Sequence, residues 1–289
     1  MSWRTVVISQ RCKLDLRMGY MVVRGEETLR VFLDELAVVV IENCAVSMTG
    51  CLLSALTEKK VKVIFCDEKR NPCAELVPHH GSHDSTKKIR TQVQWTDFCK
   101  GAVWTEIITE KIRNQAAHLD SLELTEQAAL LREYVTQIQF NDESNREGHA
   151  AKVYFNALFG MKFSRGQENP INAALNYGYS LLLSCCNREI AANGYLTQLG
   201  IHHDNVYNAF NLGSDLMEPF RIVVDRCVVR MEPEVFTSME RRTVLTIFEQ
   251  ETTIAHTRQT MQNAMKIYVK SVLDALEQGD ISFLQFPCL

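Results

Sequence analysis

An α+β chain of two domains, a small β-rich one at the N-terminus and a larger all-helical one after it, is predicted by two changes of pattern and by size. Short alternating or continuous apolar runs dominate the first 79 residues. From Ser85 onward apolar residues recur three and four apart, the spacing of amphipathic helices. A chain of 289 residues with 46% hydrophobic content can fill two ordinary cores. The pattern changes around HHGSHDS, which divides the chain into domains at 1–79 and 80–289, with a linker at about 80–90.

In the first domain TVVIS, KLDLRM and YMVVRG read as strands, with Gly19 at the turn between the second and third. Val38 to Ile41 reads as a buried strand. Ser47 then introduces a helix carrying Met48, Leu52, Leu53 and Leu56, followed by the strand VKVIF. Asp67 to Pro72 is a turn, after which CAELV returns as a strand. In the second domain Leu124, Ala128, Leu131, Val135 and Ile138 mark a one-faced helix, and Met261, Met265, Tyr268, Val272 and Leu276 mark another. Further helices are predicted over 145–159, 170–192, 214–230 and 234–249, the second so apolar in YGYSLLLSCC that it should be central.

Composition removes several classes. The longest apolar run, Leu36 to Ile41, stops at Glu42, and MSWRTVVIS has neither a basic leader nor an apolar export segment, so a cytoplasmic protein without a membrane span is predicted. Ten cysteines are scattered irregularly without any Cys-x-x-Cys, which reads as reduced, mostly buried thiols. A net charge of −4 argues against a polyanion binder as a total. Basic residues nevertheless cluster at Lys59, Lys60 and Lys62, at Lys69 and Arg70, and at Lys87, Lys88 and Arg90. Such runs permit nucleic-acid binding without establishing it. The motifs of P-loop nucleotidases, dinucleotide folds, zincins and serine hydrolases are all missing. His79, His80 and His83 with Cys73 read as solvated groups of an interdomain turn rather than as a zinc site.

Three distant stretches each offer one hard-oxygen or imidazole ligand: Glu147 in SNREGHAAKVYF, His203 in LGIHHDN and Glu218 in SDLMEPFR. They lie 56 and 15 residues apart, too far for a finger or a local turn. Each has an ordinary explanation. Ser144-Asn145-Arg146-Glu147 fits a capping box, His203 beside His202 fits a hydrogen-bonded surface imidazole, and Asp215 and Glu218 share the face of any solvated helix. Their neighbours set them apart: Arg221 one turn beyond Glu218, Arg146 beside Glu147, and Asn169, Asn172 and Asn176 on an otherwise apolar helix. Together they read as a divalent-metal site for chemistry on a phosphodiester.

With SWRTVVIS, VIFCDEKRNP, HHGSHDSTKKIRTQ, NPINAALNYGYSLLLS and the stretch through LGIHHDNVYNAFNLGSDLMEPFR and VDR, the whole chain resembles the CRISPR-associated spacer-acquisition integrases. Its wording is similar to the type II-A branch, which accompanies an RNA-guided effector nuclease. The resemblance implies that Glu147, His203 and Glu218 are catalytic ligands of Mg²⁺ or Mn²⁺, with Asp215 and His202 as accessory groups. Many members have aspartate where this chain has Glu218. The resemblance further implies a catalytic helical domain, a homodimer formed through the β domains, and a bridging small ferredoxin-like adaptor subunit. Its substrates would be double-stranded DNA, as captured spacer precursor and CRISPR repeat. The effector nuclease and an accessory DNA-end-binding protein are further candidate partners. Arg221, Arg146, Lys87, Lys88 and Arg90 are then expected to contact DNA phosphates. The reaction implied is attack of a captured 3′-hydroxyl on a phosphodiester of the repeat. A metal-dependent nuclease and a non-catalytic DNA-end scaffold stay open as alternatives. His203 should be neutral when it holds a metal, so activity is predicted to fall as pH drops through its pKa.

Overall fold

The strands at the start of the chain form two sheets. The computed structural model describes residues 4–68, 70, 72–76 and 84–289. Two compact units emerge, Met1–His83 with Ala191–Asn193, and Asp84–Ile190 with Gly194–Leu289.

The first unit runs β1 (Arg4–Ile8), β2 (Lys13–Arg17), β3 (Tyr20–Arg24), β4 (Thr28–Phe32), β5 (Leu36–Ile41), β6 (Ser47–Met48), α1 (Gly50–Glu58), β7 (Lys62–Cys66) and β8 (Pro72–Glu75). One sheet has the order β1-β5-β7-β8, the other β4-β3-β2-β6. In LAVVVI of β5 every residue is buried. That fits its place between two parallel neighbours, β1 and β7, where both faces are covered. Leu14, Met21, Val39, Leu52, Leu56 and Val63 join the two sheets and α1 in one core. The helix expected from Ser47 starts later. Ser47 and Met48 pair with Lys13 and Leu14, and the Thr49 hydroxyl accepts from Leu52 N at 3.4 Å, which caps α1. TLRVF of β4 buries Val31 alone, so its apolar alternation is too weak to announce a strand. Three members of the basic runs here are paired locally: Lys62 is buried against Glu75, Lys59 reaches Asp34 at 2.6 Å, and Arg70 lies 3.8 Å from Glu42.

The second unit holds α2 (Ser85–Val93), α3 (Asp97–Ser121), α4 (Thr125–Thr136), α5 (Arg146–Phe159), α6 (Pro170–Ala192), α7 (Asn211–Leu216), α8 (Arg221–Met231), α9 (Ser238–Leu245), β9 (Glu251–Ile254), β10 (Thr257–Thr260) and α10 (Met261–Gln278). The 25-residue α3 is its axis and packs against α4, α5, α8 and α10. The expectation of an all-helical unit needs one correction. The β-branched run ETTI pairs antiparallel with TRQT, and the turn between them puts Ala255 and His256 at φ 49° and 59°, the left-handed pair that closes a tight hairpin. The helix expected over 214–230 is also broken, because Pro219 interrupts it in a 3-10 turn, Glu218–Phe220, between α7 and α8. All ten cysteines are free, six of them buried. Among the described residues no helix is long and apolar enough to cross a membrane. His79, His80 and His83 lie outside the described residues.

Candidate active site

Glu147 enters the site from the first turn of α5. The predicted capping box does not form there. Asn145, at φ 50° and ψ 46°, caps the helix by accepting from Gly148 N at 3.2 Å, and the buried Asp142 carboxylate accepts from Arg146 N at 2.8 Å and Glu147 N at 3.0 Å. With the orphan amides satisfied by Asp142 and Asn145, the Glu147 side chain turns inward to Lys111 Nζ, 2.5 Å from Oε1.

Glu218 is 3% exposed and opens the 3-10 turn that Pro219 imposes. Its Oε2 accepts from the same Lys111 Nζ at 2.5 Å, while its Oε1 accepts from Arg221 Nε at 2.9 Å and lies 2.9 Å from Arg221 Nη2 in the same ion pair. Burial alone would raise this carboxyl. The Arg221 and Lys111 charges outweigh it and hold the pKa down at about 2. Burial would likewise lower the Lys111 ammonium, but Glu218 and Glu147 lift it above its usual value.

His203 lies in the stretch between α6 and α7, and Asp215 of α7 arranges it. The Asp215 carboxylate is fully buried. It accepts from Ile201 N at 2.7 Å, His202 N at 3.2 Å and His203 N at 3.1 Å, and it pairs with His203 Nδ1 at 2.5 Å. Four donors on one carboxylate make Asp215 the holder of the loop. A hydrogen bond at Nδ1 orients the ring and directs Nε2 toward any ligand. Asp215 also raises the His203 pKa against the opposing effect of burial. Gly200 is part of this fold: a Cβ there would fall 2.2 Å from the His203 carbonyl oxygen and 2.8 Å from Asp215 Oδ2. His202 turns elsewhere and stacks on Trp104, the rings 4.2 Å apart and 7° from parallel.

Glu147, His203 and Glu218 line one cavity of about 200 Å³ together with Lys111 and Arg221. Its remaining polar wall was not foreseen. Tyr179 of α6 donates to Asp225 of α8, a contact permitted where Gly178 meets Val224 so closely that a Cβ would lie 2.4 Å from Cγ1. Burial pushes the Asp225 carboxyl up to about 6. Arg221 lies over the Tyr179 ring at 4.5 Å and Arg165 at 5.3 Å. The asparagines at the start of α6 have their explanation here: Asn172 and Asn176 accept from the Arg165 guanidinium, and Asn169, just before the helix, accepts from Asn172 N at 2.7 Å. Lys111 had a readable signal. Trp104, Ile108, Lys111, Gln115 and His118 step by four and three along one buried seam of α3, and a lysine on such a seam needs a buried anion.

The other basic candidates lie apart from the cavity lining. Arg146 packs over the Tyr134 ring at 5.4 Å. On α2, Lys88 pairs with Asp84 at 3.4 Å, while Lys87 and Arg90 are exposed. Among the described residues no three His, Cys, Asp or Glu side chains are gathered as a metal-binding cluster. The donor chemistry nonetheless suits a hard divalent cation: two carboxylates already share one cation, and an imidazole with an oriented Nε2 lines the same cavity.

Fold and cleft define a class by form, an α+β chain whose acids, imidazole and guanidinium groups meet in one cavity of the helical unit. Residues 5–256 match the family model described as CRISPR associated protein Cas1. The chain belongs to the Cas1 family. It is 36% identical over 232 residues to the CRISPR-associated endonuclease Cas1 of Neisseria meningitidis serogroup C (strain 8013), covering 80% of this chain and 76% of that protein. With a CRISPR-associated endonuclease Cas1 of Francisella tularensis subsp. novicida (strain U112) it shares 28% identity over 243 residues, 76% of each chain. In fold it is similar to a casposase bound to integration product, with a TM-score of 0.78 at 16% identity over 97% of this chain and 92% of that one. A chain of a Cas6-RT-Cas1–Cas2 complex matches with a TM-score of 0.74 at 18% identity, over 97% of this chain and 36% of that one.

Proposed function

We propose that this chain is a divalent-metal-dependent DNA integrase and endonuclease of CRISPR spacer acquisition, which joins the 3′-hydroxyl ends of captured double-stranded DNA to the CRISPR repeat by transesterification. The observation that carries this reading is the meeting of Glu147, His203 and Glu218 in one cavity with Arg221. Glu147, Glu218 and His203 Nε2 would hold Mg²⁺ or Mn²⁺. When bound, the ion supplies Lewis acidity that polarises the scissile phosphate and stabilises charge on the attacking and leaving oxygens. Asp215 keeps the imidazole in the tautomer that coordinates through Nε2. Arg221 keeps donors beyond those turned to Glu218 and would offer them to a phosphate oxygen. The chain then mainly positions the two DNA ends. A second copy and a small ferredoxin-like adaptor complete the proposed assembly, in keeping with the Cas1–Cas2 complex among its fold neighbours.

A nuclease reading keeps the same ligands with water as the nucleophile, and the names of the Neisseria and Francisella relatives favour it as a second activity. Purified protein, adaptor and a labelled short duplex supplied to a supercoiled plasmid bearing a repeat should yield joined products. Shortened oligonucleotides alone would select the nuclease, and bound but unchanged DNA would select the scaffold. Glu147→Ala, His203→Ala and Glu218→Ala should each lower joining by more than about 100-fold. Full activity of any one of them in both Mg²⁺ and Mn²⁺ would remove that residue from the site. Joining should also fall as pH is lowered, because a protonated His203 cannot hold a metal.

A further inference from the structure

Lys111 is unexplained by a metal site. Its ammonium is 7% exposed and bridges Glu147 Oε1 and Glu218 Oε2, each at 2.5 Å. Both oxygens of Glu218 are therefore taken, one by Lys111 and the other by Arg221. A divalent cation joining Glu147 to Glu218 needs the position between them that the ammonium fills. One cation has to yield, and the two differ in how easily they do so. Arg221 sets Nε and Nη2 each 2.9 Å from one oxygen and lies against the Tyr179 ring with Cζ 4.5 Å from its centroid, a planar group held on its face as well as at its edge. Lys111 presents a point charge on a flexible four-carbon stem, which can withdraw by rotation about its own bonds.

We propose, on the basis of the metal site above, that Lys111 is a resident counter-cation: its ammonium holds Glu147 and Glu218 together in the metal-free protein and leaves them when Mg²⁺ or Mn²⁺ arrives. Without it the half-buried Glu147 and the buried Glu218 would face each other with only Arg221, on the other oxygen of Glu218, to offset their charge. With it the ligands are kept ionised and close, and loading becomes an exchange of one cation for another.

The test is a Mn²⁺ titration of the full chain, followed by the electron paramagnetic resonance signal of unbound Mn²⁺, for wild type, Lys111→Met, Lys111→Arg and Glu218→Gln. Lys111→Met removes the competitor, so its Mn²⁺ Kd should tighten by about tenfold or more. Its melting temperature in EDTA should drop below wild type and recover on adding Mn²⁺. Lys111→Arg replaces a yielding competitor with a forked one and should weaken Mn²⁺ binding. A lysine that serves only packing, or that helps to hold the loaded metal, gives a Lys111→Met Kd equal to or weaker than wild type, and either result overturns the proposal. Should Lys111→Met fail to fold, Lys111→Arg decides alone: weaker Mn²⁺ binding supports the exchange, and an unchanged Kd overturns it. Equal Mn²⁺ binding by wild type and Glu218→Gln would overturn the metal site and the exchange with it. Loss of Mn²⁺ in Glu218→Gln with wild-type behaviour in both Lys111 variants removes the exchange alone.

Discussion

Asp225 and His118 sit at two ends of one buried line of hydrogen bonds and titrate in opposite senses. His118 Nδ1 meets the Tyr154 hydroxyl at 2.7 Å, and Tyr154 in turn bonds Asp225. Burial, helped by Arg226 and Arg230, lowers His118 to about 4. The fold favours its neutral form, so stability is lost as pH falls from about 6.5 through about 4. Asp225 is raised to about 6, so its charged form is the disfavoured one, and stability is lost as pH rises from about 4 through about 6. In the shared window the two slopes offset each other. Asp225→Asn should unmask His118: its stability relative to wild type should improve by on the order of 2–3 kcal/mol between the acid and neutral ends of that window. Denaturant unfolding at a series of pH values measures this directly, and a variant curve parallel to wild type would show that the offset does not exist. Neither group was given a role from the sequence, although Asp225 lies in the VDR stretch, because a histidine on an amphipathic helix and an aspartate before an arginine look like ordinary surface chemistry. That Glu147, His203 and Glu218 share one cavity was legible, since three short stretches with Arg146 and Arg221 beside them marked the set before any geometry was known.

The ligand loop between α6 and α7 shows how an element can depend on what a residue lacks. It folds over the Asp215 carboxylate only because Gly200 has no side chain to strike the His203 carbonyl. Gly200→Ala should force the loop off Asp215, displace the imidazole and lower strand joining by about 100-fold, while helix content stays as in wild type. Joining at the wild-type rate would show that the loop tolerates a Cβ there. Elements of strong periodicity were readable in advance, α4 and α10 among them. Those missed share a physical reason. β4 exposes four of its five residues, so no alternation survives, and the hairpin β9–β10 sits between helices that dominate any longer window. α3 is buried on so many sides that its apolar stripe broadens beyond one face.

For the molecule as a whole the net charge of −4 hid more than it told, because much of the charge is paired within each unit. The first unit closes a core yet leaves Met18 97% and Leu29 58% exposed, with Tyr20 and Phe32 also at the surface. Apolar groups left out on so small a unit favour a symmetric partner. The purified chain is expected to sediment or scatter as a dimer of its 33.0 kDa chain, without adaptor or DNA. A monomer at micromolar concentration would defeat that expectation.

Lys111, Arg165 and Arg221 line the same cavity as Glu147, Glu218 and Asp225, three cationic groups against three carboxyls. A phosphodiester chain approaching this wall meets no net formal charge, so the acids that would bind a metal do not repel it beforehand. On the proposed function the electrostatics would impose no obligatory order of arrival: DNA and divalent cation could each enter first, and a captured end could be seated and aligned before the cleft is armed.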